Sequence, residues 1–206
     1  MPVITALSPA VKNEKRVNIF IDDKFSFSLD VSQVVDLKIK VGLEVSEADL
    51  SRFRKASNFG KLYQRTLEWV LTRPRSIRET YDYLRKKKYE KPEYEISDED
   101  IEAVVSRLIE KGYLNDQKFA EYYVENRFIK KGVSEKRLKM ELVKKGITEE
   151  VILAALATGG RDEVAELRKM IKRKRTRYTD DEKLISYLLR QGFDFELVRN
   201  EVRGKD

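Results

Sequence analysis

Two residue types that supply most recognisable catalytic and metal sites are missing from this sequence: its 206 residues include no cysteine and no histidine. Disulfides, thiolate nucleophiles, imidazole bases and zinc sites built from cysteine or histidine are therefore excluded. The sequence also lacks a glycine-rich phosphate loop of the GxxxxGK[ST] kind, so we expect no nucleotide hydrolysis by the chain itself. These absences argue against an enzyme, and we expect no catalytic residue, no metal and no cofactor.

Long hydrophobic runs are missing as well. No stretch approaches the roughly 20 apolar residues that span a bilayer. Residues 1–5 also lack the charged start and long apolar run of a targeting segment. We therefore expect a cytoplasmic protein with no membrane partner.

Charged side chains are what the sequence has in abundance. They make up 38% of the residues, and 43 Lys and Arg against 36 Asp and Glu leave a formal net charge of +7. The high charge fraction suits thin helical layers better than one compact globule. The positive excess favours a polyanionic partner such as nucleic acid or a nucleoprotein, because Lys and Arg that neutralise phosphates release condensed counterions. Lysines that merely solvate helix faces would give the same net charge.

The first 58 residues are predicted to form a small N-terminal domain. Residues 16–21 and 25–29 are rich in β-branched and aromatic side chains and flank the turn-like Asp22-Asp23-Lys24, which predicts a β-hairpin. A third strand is expected over residues 4–7.

Helices should follow the hairpin. Residues 31–37 are typical of a short helix, and the spacing of Ser46 and Asp49 predicts the capped start of another, running to about Ser57. We expect the domain boundary at residues 57–60.

From Lys61 onward one helical unit recurs. Each copy has a cap residue, a helix with apolar residues near i and i+4, a basic or polar last turn, a stop and a large apolar anchor. The caps are Ser76, Ser134 and Thr179. We therefore predict a mainly α protein of three tandem three-helix repeats in an elongated curved stack, which offers a long surface and no deep pocket. The repeats are expected over residues 61–114, 115–158 and 159–206, after the N-terminal β-hairpin and helix domain over residues 1–58.

The first repeat departs from the other two. Lys88 stands where a glycine would match them, and residues 90–97 form an extra loop that accounts for most of its greater length.

A specific motif lies in the middle of the chain. Residues 110–124, EKGYLNDQKFAEYYV, followed by Arg127 and Gly132, resemble the central signature of the RecX family. Residues 137–147, RLKMELVKKGI, are similar to that family in order and spacing. The resemblance covers the middle third at motif level and the flanking repeats more weakly, and the hairpin is similar to an N-terminal extension carried by some members.

The resemblance implies a bacterial regulator of the RecA recombinase. Such a regulator lies in the groove of the RecA–DNA filament and mostly inhibits RecA assembly, ATP hydrolysis and strand exchange in homologous recombination, DNA repair and the SOS response. The resemblance also implies that the partners are the RecA filament and single- or double-stranded DNA. We expect the protein to be a monomer. The alternative is a general basic DNA-binding protein that acts without a recombinase.

A magnesium nuclease is a third hypothesis, because acidic residues cluster at positions 22–23, 98–100 and 180–182. Two of these clusters begin predicted helices and the first lies in a turn. Helix and turn capping would explain all three without a metal.

Basic residues are the candidate contacts. Arg127 lies on the apolar stripe that begins at Phe119, so it is either paired with a carboxylate or carbonyl, or it contacts a partner at the rim. The cluster around residues 130–145 includes Glu141, so part of it should pair internally and the rest either binds or is solvated. The run at residues 168–177 favours binding, because such close like charges repel one another unless a polyanion or acidic surface neutralises them. The residues expected to bind RecA or DNA are Arg127, Lys130, Lys131, Arg137, Lys144, Lys145, Arg168, Lys169, Lys172, Arg173, Lys174, Arg175 and Arg177.

Overall fold

The computed structural model describes residues 1–11, 13–90 and 96–204, which form a three-stranded sheet followed by ten helices. The strands are β1 (Ile4–Ala10), β2 (Asn13–Ile21) and β3 (Lys24–Asp30). The helices are α1 (Val31–Asp36), α2 (Glu47–Leu71), α3 (Ile77–Glu90), α4 (Asp98–Glu110), α5 (Asp116–Asn126), α6 (Glu135–Lys144), α7 (Glu149–Thr158), α8 (Glu163–Lys174), α9 (Asp181–Arg190) and α10 (Phe195–Arg203). The predicted mainly α fold with three-helix repeats behind a small β domain is confirmed.

The chain divides into two compact units. The first contains Met1–Thr72 and Tyr83–Glu110, and the second contains Arg73–Asp82 and Lys111–Asp206. The start of α3 therefore belongs with the second and third repeats.

The N-terminal sheet is antiparallel in the order β1-β2-β3. Asp22 and Asp23 both have positive φ, 49° and 63°, as a two-residue hairpin turn requires. Both hairpin strands and the third strand are where the sequence predicts them, with β1 extending beyond residue 7. Apolar side chains of one sheet face pack against α2 around the fully buried Ile4, Ile19 and Leu29.

One predicted break is wrong, because α2 continues without interruption through residues 57–60. The residues that suggested a boundary instead hold the helix against the sheet. Ser57 Oγ donates to the Ser28 carbonyl at 2.6 Å. A Cβ on Gly60 would lie 3.0 Å from Asp30 Oδ2, so the missing side chain permits the close approach. The division of the chain into segments 1–58, 61–114, 115–158 and 159–206 stays a prediction.

The departure at Lys88 lengthens α3. The second helices of the other repeats, α6 and α9, are followed by Gly146 and Gly192, both at positive φ. Lys88 instead lies inside α3, and its Nζ is 2.9 Å from Asp98 Oδ1 at the start of α4. Of the extra loop predicted at 90–97, residues 91–95 lie outside the described residues.

The second helices of successive repeats meet N-terminus to C-terminus. Ser134, the cap of α6, accepts from Arg137 N and donates its hydroxyl to the Gln191 carbonyl at the end of α9, at 2.6 Å. Ser76, before α3, likewise donates to the Lys145 carbonyl at the end of α6, at 2.8 Å. We call each such contact a head-to-tail joint. Each joint satisfies a helix-terminal carbonyl and aligns opposite ends of two helix dipoles.

The cap predicted for the third repeat is one residue too early. Asp180, and not Thr179, caps α9 by accepting from Lys183 N at 2.9 Å. Both residue types favour cap positions, so the sequence pattern alone does not separate them.

Two glycines in the second unit share a backbone conformation but differ in how closely other residues pack against them. Gly112 and Gly132 have φ of +72° and +73°, but a Cβ on Gly112 would meet nothing within 4 Å, while one on Gly132 would lie 2.3 Å from the Glu166 carbonyl of α8.

We expect Gly132→Ala to destabilise the protein more than Gly112→Ala. Both variants incur about 1–2 kcal/mol for a left-handed alanine, and the clash with the α8 backbone should add about 1–3 kcal/mol in Gly132→Ala. Urea unfolding followed by circular dichroism measures both. Equal losses would contradict the tight packing of residue 132 against α8.

Candidate functional site

Glu141 on α6 is the centre of a hydrogen-bonded cluster that includes two of the predicted contact residues. Its carboxylate accepts from Arg127 Nε at 2.7 Å, from Arg137 Nε at 3.2 Å and from the Tyr123 hydroxyl at 2.6 Å. Arg137 also donates to the Gln191 side chain. Both arginines are therefore held in place by bonds within the second unit.

The cluster keeps its charges over the whole physiological pH range. Partial burial alone would raise the pKa of Glu141, but hydrogen bonds from Arg127, Tyr123 and Arg137 outweigh it and lower the pKa to about 2. Burial, together with the bond to Glu141, raises the pKa of Tyr123 to about 12. Two guanidinium groups thus face one carboxylate, which leaves one positive charge in excess.

Of the two interpretations given for Arg127, the structure shows the first, in which it pairs with a carboxylate. Besides its pair with Glu141, its guanidinium lies 3.5 Å from the centroid of the Phe128 ring. The helix α5 ends at Asn126, and Phe128 has a positive φ of 51°. The Phe128 carbonyl accepts from the amides of Lys131 and Gly132, which closes a turn there.

An open groove in the second unit borders this cluster. Lys145 Nζ and Arg73 Nη2 lie 2.7 and 3.1 Å from the same carboxylate, that of Glu79. These two cations line the groove together with Arg127, Tyr122, Tyr123 and Asn126. Burial alone would raise the pKa of Glu79, yet its hydrogen bonds to the two cations lower it. The groove therefore presents cations that are already fixed by carboxylates.

The basic run at residues 168–177 is not one uniform surface. Three of its cations form ion pairs, and two others lie over aromatic rings. The ion pairs are Arg168 with Glu201, Lys169 with Glu166 and Arg175 with Asp181, and the ring contacts are Lys174 with Tyr187 and Arg177 with Tyr178. Much of the like-charge repulsion is thus relieved inside the protein.

Five predicted contacts remain exposed and make no ion pair, hydrogen bond or aromatic-ring contact through their side chains within the described part of the chain. They are Lys130, Lys131, Lys144, Lys172 and Arg173. These cations are the ones left to neutralise an external anion.

Sequence reasoning missed further cations of the same kind, among them Arg78 and Arg190. Both are exposed, and neither has a side-chain partner among residues 1–11, 13–90 and 96–204. A signal was present, because Arg78 and Lys136 each lie two residues after a cap serine, and Lys144 and Arg190 each lie two residues before the glycine that follows the helix.

The acidic clusters act as caps. Asp22 Oδ1 accepts from Val3 N at 3.1 Å, and Asp100 Oδ2 accepts from Ser97 N at 3.0 Å before α4. Asp180 caps α9 as described. Within the described residues, no three Asp or Glu side chains converge as metal ligands, and no helix there is long and apolar enough to cross a membrane.

Known proteins resemble this chain in sequence along nearly its whole length. A protein named Regulatory protein RecX from Bacillus pumilus (strain SAFR-032) is 32% identical over 205 residues, covering 96% of this chain and 75% of the relative. The chain belongs to the RecX family. The Regulatory protein RecX of Bacillus subtilis (strain 168) is 33% identical over the same shares of both chains. The chain is thus a RecX family regulatory protein.

Two RecX family profiles match separate parts of the chain. The regulatory protein RecX N-terminal domain matches residues 2–46, and the second three-helix domain of RecX matches residues 115–156. The second match contains α5, α6 and most of α7, including Glu141 and Arg127.

Two solved structures share the fold. A crystal structure of regulatory protein RecX superposes with a TM-score of 0.74 over 100% of both chains at 22% identity. A crystal structure of RecX from Lactobacillus salivarius gives 0.57 at 24% identity, covering 72% of this chain and 96% of that one.

Glu141→Gln should destabilise the protein at neutral pH and not in strong acid. Because the pKa of Glu141 is depressed from 4.5 to about 2, the stabilisation is present above pH 4.5 and is lost as the pH falls through about 2. We expect a loss of about 1–3 kcal/mol at pH 7, since bonds to a charged group are removed. Urea unfolding at pH 7 and near pH 2 measures it.

Glu125→Gln, at an exposed position of α5, is the matched control and should change the unfolding free energy little at either pH. A loss for Glu141→Gln that stays the same at both pH values would show that its charge is not what stabilises the cluster.

Proposed function

We propose that this RecX family protein binds the RecA–DNA filament and mostly inhibits RecA assembly, ATP hydrolysis and strand exchange, in homologous recombination, DNA repair and the SOS response. It would act in the cytoplasm as a monomer and as a binding protein, not an enzyme. Family membership supports the regulatory class. The observation that carries the proposal is the set of exposed, unpaired cations on the second and third repeats.

Those cations suit a polyanionic filament. Lys172 and Arg173 lie in the last turn of α8, and Lys130 and Lys131 follow α5. Unpaired Lys and Arg raise the local concentration of an anionic partner and release its counterions on contact. Phosphate contacts give affinity without sequence preference, which suits a regulator that acts on filaments formed on any DNA, single- or double-stranded.

The paired cations would serve differently. Arg127, Arg137 and Lys145 are fixed by Glu141 and Glu79, so only their remaining N–H groups are left for a partner. We assign the same role to Arg168, Lys169, Lys174, Arg175 and Arg177. Side chains that are already held in one conformation lose little entropy on binding. They would therefore help to orient the partner more than to attract it.

Inhibition requires a difference in affinity. A bound regulator shifts the filament toward loss or toward a less active arrangement only to the extent that it binds that state more tightly. Occupying positions along the filament at which RecA subunits add is the simplest way to obtain such a difference.

Lys172→Glu with Arg173→Glu should weaken inhibition. We expect the unmodified protein to suppress RecA's single-strand-dependent ATP hydrolysis at well below one copy per RecA subunit, and the double variant to require at least about tenfold more protein. The matched control, Lys118→Glu with Arg199→Glu, makes the same charge change at exposed positions elsewhere and should inhibit nearly as well.

Equal inhibition by both double variants would remove Lys172 and Arg173 from the interface. If hydrolysis is unaffected by the unmodified protein while bare DNA is bound with a steep salt dependence, the protein is a general DNA-binding protein and the proposed function is wrong.

A further inference from the structure

The outward face of α6 combines cations with exposed apolar side chains. Lys136, Met140, Val143 and Lys144 are spaced i, i+4, i+7 and i+8, which places them on one side of the helix. Met140 is 54% exposed and Val143 is 57% exposed. Glu141, on another side of the same helix, differs from these residues because its carboxylate pairs with two arginines of the protein itself.

The head-to-tail joints extend this face at both ends. A Cβ on Gly146 would lie 2.8 Å from Arg78 Cβ, so Arg78 lies over the end of α6, two residues from Lys144. A Cβ on Gly192 would lie 3.3 Å from Lys136 Cβ, so Lys136 lies over the end of α9, two residues from Arg190. Two cations from the second helices of consecutive repeats are therefore placed at each end of α6: Lys136 and Arg190 at its start, and Lys144 and Arg78 at its end. The two ends are about 12 Å apart for eight residues of helix.

None of these four cations has a side-chain partner among residues 1–11, 13–90 and 96–204. The apolar pair Met140 and Val143 lies between the two ends. An apolar centre with a charged rim is the usual composition of a protein–protein interface, and methionine suits surfaces that adapt to a partner.

The apolar centre distinguishes protein from nucleic acid as the partner. A phosphate backbone would form ion pairs with the cations but would not bury the apolar side chains of Met140 and Val143. A protein surface whose own apolar patch is flanked by carboxylates on both sides would match the whole face, because burying exposed apolar area is favourable and each rim carboxylate meets an unpaired cation.

We propose that this face, the α6 stripe, docks on an acidic protein surface with an apolar centre. Its residues are Arg78, Lys136, Met140, Val143, Lys144 and Arg190. The inference rests on the proposed function, under which that surface belongs to RecA subunits of the filament. The stripe then recognises the recombinase protein, while Lys172 and Arg173 attract the phosphates.

The test compares two affinities for each variant: the Kd for RecA–single-stranded DNA filaments held in a nucleotide analogue that is not hydrolysed, and the Kd for the same DNA without RecA. Met140→Ser with Val143→Ser should weaken filament binding at least about tenfold, or 1.4 kcal/mol, and leave the affinity for bare DNA unchanged. Lys136→Glu with Arg190→Glu should weaken filament binding similarly.

Two controls match these variants. Leu153→Ser removes a 49% exposed apolar side chain from α7 of the same repeat, and Lys118→Glu with Arg199→Glu repeats the charge change. Both should bind filaments as the unmodified protein does. Thermal unfolding of every variant separates lost binding from lost folding, because stripe residues are exposed and their replacement should leave the melting temperature nearly unchanged.

The outcomes separate the inference from the proposed function. Filament binding that is unchanged in both stripe variants but weakened by Lys172→Glu with Arg173→Glu overturns the stripe and leaves the proposed function standing. A parallel loss of filament and bare-DNA binding in the Met140 and Val143 variant shows a nucleic-acid surface and overturns the stripe as well. No binding of the unmodified protein to filaments overturns both.

Discussion

The head-to-tail joint is the contact on which the arrangement of the second unit depends. A serine hydroxyl can accept and donate at the same time, so Ser134 caps its own helix and bonds the last carbonyl of α9. The end of one helix and the start of another are therefore satisfied by one atom. Alanine at this position would leave both a helix amide and a partly buried carbonyl without the serine as partner, and aspartate could serve only the amide.

The joints also decide where charge is left over. On one side of α6, Glu141 neutralises cations that come from α5 and from its own helix. On its outward side the joints bring together cations from neighbouring repeats, and no carboxylate of the described residues reaches them. A single ten-residue helix is thus structural on one face and available to partners on the other, and this division agrees with a protein that acts by binding.

Much of the fold could be predicted because its signals are local. The strands of the N-terminal sheet, the serine caps and the glycines that follow α6 and α9 each depend on a few neighbouring residues. The predicted end of a helix at Ser57 was wrong because distant contacts override a local signal. Ser57 and Gly60 suggested a break, yet their small side chains are what lets α2 pack against β3. The binding role of the basic run at residues 168–177 stays a prediction, and the pairing of Arg168 with Glu201, 33 residues away, is a contact that the local sequence does not indicate.

The sequence by itself determined that the chain is helical beyond residue 60, that it is built from repeats, that it lacks thiol and imidazole chemistry, and which family its central motif resembles. Only the tertiary structure decided which cations pair with carboxylates of the protein itself and which face solvent. Lys145 pairs with Glu79 across 66 residues, while the adjacent Lys144 has no partner in the described chain. The two lysines are chemically identical, and a change of about 100° around the helix axis separates their environments.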